Sequence, residues 1–149
     1  MTEKQNEVQE KKKYTGADGT KYTEVEWNKP LIEGGPARGE IEEWRAEHGP
    51  VYYYPHDSGI YIFRLMTREE YFLYKEELQK INEEMQESEQ AADLSLNKAE
   101  ELFTSMCVLY PSNYSEIVST EVPAGIPGLL SDLIYERSGF NPTAVAIKL

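Results

Sequence analysis

The hydrophobic pattern of this chain changes period along its length. Val51-Tyr52-Tyr53-Tyr54 and Ile60-Tyr61-Ile62-Phe63-Arg64-Leu65 are β-branched and aromatic runs on either side of Pro55-His56-Asp57-Ser58-Gly59. Two such runs around a short turn containing Pro and Gly predict a β-hairpin. From Thr67 onward the spacing becomes helical. Tyr71, Tyr74, Leu78, Ile81 and Met85 recur at steps of three and four residues, one stripe of a helix of about 20 residues. Thr67-Arg68-Glu69-Glu70 ahead of it is a capping box, in which the Thr67 hydroxyl and the Glu70 carboxylate each satisfy the other's backbone amide.

Two further helices come after it. Ser95 is a candidate N-cap for a helix to about Met106, with Leu96, Ala99, Leu102, Phe103 and Met106 on one face. Pro111 pushes the residue before it out of the helical region, so this helix ends by Tyr110. Ser112 to Thr120 reads as a mostly polar loop. The last helix is predicted to begin near Pro123–Ala124, with Pro127 in its first turn, where a missing amide costs little. Leu129, Leu130, Leu133 and Ile134 form its inward face. Gly139 supplies a left-handed stop, and Phe140 folds back on the preceding turn.

The first 50 residues are less periodic. Met1 to Lys13 has too few apolar residues to offset its ordering entropy and is expected to be a disordered arm. Gly16-Ala17-Asp18-Gly19 is a turn signal, after which Thr20 to Trp27 alternates imperfectly and predicts a short strand with Tyr22, Val25 and Trp27 buried. Pro30 to Gly39 reads as a loop. Glu40 to His48 predicts a short helix, with Ile41 and Trp44 inward and Gly49-Pro50 as the stop. Two strands alone are marginal in water, so the hairpin must pack on a helix or on the Thr20–Trp27 strand. Ala144 to Leu149 is an apolar tail, docked as a strand or used as a peptide by a partner. The expected fold is α+β, mostly α: a small helical body of about four helices with an N-terminal β-hairpin or short sheet. It divides into an arm (1–13), a segment with the short helix and hairpin (14–66) and a helical region (67–149), all within one compact domain.

Composition narrows the chemistry. A chain of 149 residues with a formal net charge of −12 is repelled by nucleic-acid phosphates and by anionic membranes, so neither is expected as a partner. The single cysteine, Cys107, excludes an internal disulfide and a cysteine-rich zinc site. Its apolar neighbours predict a buried, inert thiol. The glycines of Gly34-Gly35-Pro36-Ala37-Arg38-Gly39 lack the preceding strand and the Gly-Lys-Ser/Thr of a phosphate loop. The paired glutamates Glu76-Glu77 and Glu83-Glu84 point about 100° apart on a helix and do not converge as a metal or acid–base couple would. His48 and His56 have no second ligand at metal spacing, and Cys107 would serve as a nucleophile only if the fold brought His56 to it. The charged N-terminus has no signal-peptide pattern, and no stretch approaches the ~18 apolar residues of a membrane span. No catalytic residue, cofactor or metal site is expected.

The C-terminal third carries a resemblance. Cys107-Val108-Leu109-Tyr110-Pro111 after a helix, then Ala124-Gly125-Ile126-Pro127 opening a second helix and Ser138-Gly139-Phe140 closing it, resembles the pattern of small baseplate-hub or tail assembly chaperones of contractile-tailed bacteriophages. Tyr61-Ile62-Phe63-Arg64 and Met66-Thr67-Arg68-Glu69-Glu70-Tyr71 look like the lead-in of such proteins, so the resemblance spans Ile60 to Phe140. It implies a helical body without an active site, acting as a protein-binding adaptor in the cytoplasm of the infected host cell or in the virion. The implied partner is another tail or baseplate protein. Candidate partner-binding residues are Tyr52, Tyr53, Tyr54 and Tyr61 of the hairpin, since tyrosine is enriched at interfaces, and Leu129 and Phe140 of the last helix. The alternative is an acidic inhibitor that mimics DNA charge and blocks a host nucleic-acid enzyme, suggested by a net charge of about −5 over Thr67–Gln90. Nothing in the sequence specifies an oligomeric state.

Overall fold

The computed structural model describes residues 11–85, 91–140 and 145–149. The first ten residues of the expected arm and most of the expected polar break after Met85 lie outside the described residues. Lys11 to Lys13 are exposed. The described residues form an α+β protein with six helices, one two-stranded sheet and one three-stranded sheet. They fall into two compact units that meet in sequence at Val51 and Tyr52, where the reading of the sequence draws its boundary at 66/67 within one domain.

The N-terminal unit opens with β1 (Tyr14–Thr15) and β2 (Lys21–Tyr22), which pair antiparallel with Tyr14 opposite Tyr22. Gly19, at φ +88°, closes the turn between them. The chain then departs from expectation. Only two residues of Thr20–Trp27 are strand, and α1 (Glu24–Asn28) replaces the rest. The reason is local: Thr23 and Glu26 form a complete capping box, with the Glu26 amide donating to Thr23 Oγ1 at 3.2 Å and the Thr23 amide to Glu26 Oε1 at 3.0 Å. Val25, expected inside, is exposed on this helix. α2 (Arg38–His48) buries Ile41 and ends at Gly49, φ +82°, as its sequence predicts.

Two contacts hold this unit. Trp27 stacks on Tyr14 with centroids 5.1 Å apart and lies across Gly39, where an added Cβ would stand 2.3 Å from the indole Nε1. Glu42, with 2% exposure, accepts hydrogen bonds from the Ala17 amide (3.0 Å) and from Arg45 (3.0 and 3.1 Å), with the Tyr22 hydroxyl at 3.5 Å. A buried carboxylate is tolerated only with its lone pairs occupied in this way.

The second unit has a larger apolar centre. β3 (Val51–His56) and β4 (Gly59–Arg64) form the predicted hairpin. A third strand, β5 (Val108–Tyr110), adds to β4 with Ile62 opposite Tyr110 and a bulge between Ile62 and Phe63. The hairpin thus gains its third strand from the segment after Cys107, not from Thr20–Trp27. α3 (Arg68–Met85) starts at the predicted capping box, with both of its bonds formed. α4 (Ala91–Cys107) begins four residues ahead of Ser95, which lies inside it; Ala91-Ala92 favours helix strongly enough to extend the start.

α5 (Tyr114–Ile117) is a short helix within the expected polar loop, pinned by the buried Tyr114. Its hydroxyl donates to Thr104 Oγ1 at 2.7 Å, which in turn donates to the Glu100 carbonyl at 2.8 Å. α6 (Ile126–Arg137) starts later than expected, with Pro127 in its first turn. Ile126, Leu130 and Ile134 are buried with Phe63, Phe103 and Cys107 in one core, while Leu133 is half-buried and Leu129 lies outward. Its end matches the predicted Schellman stop: Phe140 N donates to the Tyr135 carbonyl (3.1 Å), Gly139 N to the Glu136 carbonyl (3.2 Å), and Gly139 holds φ +97°. The helix count of six instead of four comes from α1 and α5, both short and both set by caps or anchors outside any long hydrophobic period.

Candidate functional site

The elements of the second unit place an aromatic groove between three helices. α3 contributes Tyr71, Tyr74 and Leu78, α4 contributes Leu96 and Phe103, and α6 contributes Tyr135; the space is open and measures about 460 Å³. Its rings are mutually braced. Tyr74 meets Phe103 edge-on at 5.1 Å, Tyr71 lies 4.7 Å from Phe140, and Phe140 stacks on Tyr135 at 4.2 Å. The Schellman stop fixes that last pair, because it folds the residue after Gly139 onto the turn that carries Tyr135. Phe140 is therefore the ring that holds Tyr71 and Tyr135 in register at one end of the groove.

Three charged groups border this apolar floor. Lys75 stands 5.3 Å over the Tyr71 ring. Glu100 and Asp132 lie on the opposite walls, α4 and α6. Burial, then Asp132 and Glu101, raise the Glu100 carboxyl above its ordinary range. Burial also raises the Tyr74 phenol. Ser131, also in the wall, has a buried hydroxyl without a hydrogen-bond partner. The arrangement suits an apolar segment that carries a cation. An apolar floor with a few polar groups at its edge is the ordinary construction of a binding cleft.

The candidate residues read from the sequence are distributed differently. Tyr53 is exposed, Tyr52 and Tyr54 are half-buried, and Tyr52 lies under the Arg137 guanidinium and beside Phe63. Tyr61 is buried, edge-on to Tyr114 at 6.3 Å, with its hydroxyl 3.1 Å from Ser58 Oγ. As a core residue it presents no surface to a partner, which corrects its place among the candidates. Leu129 is on the outer side of α6. Phe140 is the candidate that borders the groove. The structure does not gather the six into one patch, since alternate hairpin residues face opposite sides of the sheet. Tyr71, Tyr74, Phe103 and Tyr135 are the residues sequence reasoning missed as a site. Helical spacing marked Tyr71, Tyr74 and Phe103 as core and left Tyr135 off the inward face of its helix, and only the crossing of α3, α4 and α6 leaves a gap between them.

No family model, curated protein or solved structure matches the chain.

Other chemistry-bearing groups lie outside the lining of the groove. Cys107 is fully buried and its thiol is pushed up to about 12 by desolvation, so it is protonated at neutral pH. His56 is exposed in the hairpin, its Nδ1 accepting from the Ser58 amide at 3.0 Å and 2.8 Å from Ser58 Oγ. That arrangement closes the turn and borders no cavity among those described. Arg64 donates to both Glu70 carboxylate oxygens and to the Met106 carbonyl, tying β4 to the start of α3 and the end of α4. That pairing holds the Glu70 carboxyl down to about 2. The glutamate face of α3 is mixed in sign, with Lys80 3.2 Å from Glu77. No group of three or more His, Cys, Asp or Glu residues converges among the described residues. No helix among them is long and apolar enough to cross a membrane.

Proposed function

We propose that this protein is a non-enzymatic adaptor that seats an apolar segment of another protein in the groove between α3, α4 and α6. The narrower reading is that the partner is a tail or baseplate protein of a contractile-tailed bacteriophage, with this chain acting as an assembly chaperone or as a baseplate component. The observation that carries the general reading is the groove itself: a braced aromatic floor left open between three helices, with carboxylates at its edge. The phage assignment rests on the resemblance of Cys107–Pro111, Ala124–Pro127 and Ser138–Phe140. These elements bound α4 and α6, two of the three helices whose faces line the groove, which supports reading them together.

Burial of a partner's apolar residues against the rings supplies the binding free energy, at about 1.5–3 kcal/mol for each fully buried large side chain. The surface net charge keeps the unbound adaptor soluble. The test is a photo-cross-linking residue at position 96, an exposed groove position, in cells infected with the parent phage. The expected outcome is a cross-link to one tail or baseplate protein that is lost in a Tyr135→Glu background. A cross-link spectrum identical to that of a probe at Asp57 would reject the groove. Presence in finished virions at fixed stoichiometry identifies a component, and presence only with tail intermediates identifies a chaperone.

A further inference from the structure

The segment Val145–Leu149 has two features that match the groove. Val145 and Ile147 are 84% and 89% exposed, and Leu149 is fully exposed. In an extended chain residues two apart share a face, so these three form an unpartnered apolar edge. Lys148 lies on the opposite face of such a chain, where its cation can reach the rim of a cleft that holds the apolar edge. The groove offers the converse: an aromatic floor, with Glu100 and Asp132 on two walls and Lys75 on the third. Its volume of about 460 Å³ is within the range of clefts that enclose small ligands, and suits two or three aliphatic side chains.

We infer that the groove of one copy of this chain receives Val145–Leu149 of a second copy, and reciprocally, so that the free protein is a segment-exchanged dimer. The inference rests on reading the groove as a site for apolar segments, and names the segment that occupies it before another partner does. In the single chain the segment's apolar side chains are exposed and the groove opens to the surface. Reciprocal exchange covers both at once, and its two-fold symmetry closes the assembly at two. Lys148 then lies between Glu100 and Asp132 and relieves the repulsion between those carboxylates. A partner carrying a better apolar segment displaces the exchanged one, which couples dimer dissociation to partner binding.

The experiment combines sedimentation velocity with peptide binding. The full chain is expected to sediment with the mass of two chains at tens of micromolar and to dissociate on dilution, while a chain ending at residue 144 sediments as a monomer. Lys148→Glu is expected to weaken the dimer about tenfold. A dye-labelled peptide of residues 142–149 is expected to bind the shortened chain, and Leu96→Glu, at an exposed position that leaves the fold intact, to abolish that binding. A monomeric full chain alongside a shortened chain that binds the peptide means the segment seats in its own groove, which overturns the exchange. A shortened chain that remains dimeric overturns it as well. Failure of the peptide to bind, with the cross-link from position 96 to a phage protein retained, overturns the exchange and leaves the adaptor reading standing. Loss of both overturns the two together.

Discussion

The two units use the same four-residue signal to opposite ends. Thr23-Glu24-Val25-Glu26 and Thr67-Arg68-Glu69-Glu70 are both complete capping boxes. The first opens a five-residue helix with no fully buried residue, and the second an 18-residue helix that walls the groove. The difference lies in the residues behind each box and in the group that grips its glutamate. Behind Glu70 runs a helical stripe of apolar residues, and Arg64 clamps the Glu70 carboxylate from the neighbouring strand. Behind Glu26 comes Trp27, which stacks on Tyr14 and lies across Gly39. A cap sets where a helix begins, and the apolar face behind it sets how far the helix runs.

The largest expected effect tests the apolar centre of the second unit. Leu130, fully buried, is predicted to cost about 2–5 kcal/mol on replacement by alanine, measured by urea unfolding followed by far-ultraviolet circular dichroism. A loss below about 1 kcal/mol would show that α6 packs more loosely than its burial indicates.

Next is the clamp. Glu70→Gln is predicted to cost about 1.5–3 kcal/mol at neutral pH, the scale of hydrogen bonds to a charged group. Glu70 ionises near pH 2 in the fold and near pH 4.5 unfolded. A depressed folded value means that its contribution is complete above pH 4.5 and is lost as pH falls toward 2. The gap between parent and variant should therefore close across that window. A gap that stays constant down to pH 2 would contradict the ion pair.

The N-terminal unit is probed by Gly39→Val. Its Cβ would meet the Trp27 ring, so the indole must leave its place on Tyr14. The expected cost is about 1–3 kcal/mol, with a red shift in emission, since both tryptophans, Trp27 and Trp44, belong to this unit. Unchanged emission would place the indole elsewhere.

The smallest effect compares the boxes directly. Thr67→Ala is expected to cost about 1 kcal/mol and Thr23→Ala about half of that, because the shorter helix carries less packing for its cap to support. Equal losses, read from the unfolding of each variant, would mean that cap strength is independent of the length and packing of the helix it opens.

The hairpin, the start of α3 and the end of α6 were legible because each rests on neighbours in sequence: alternation around a turn, a Thr-x-x-Glu cap, and Gly139 at a position that needs positive φ. α1 was legible in principle, by the same signal as α3, but imperfect alternation over Thr20–Trp27 obscured it. α5 was not, because its anchor is the Tyr114 hydroxyl on Thr104, ten residues upstream. Nor was the groove. Tyr71, Tyr74, Phe103 and Tyr135 each sit on a helix that the sequence predicts, and a periodic stripe shows which face is apolar, not how much of that face a neighbouring helix covers. The pairing of β5 with β4, the burial of Tyr61 and the opening between α3, α4 and α6 depend on contacts between residues far apart in the chain. Those contacts are set by side-chain volumes and crossing geometry, which local sequence does not encode.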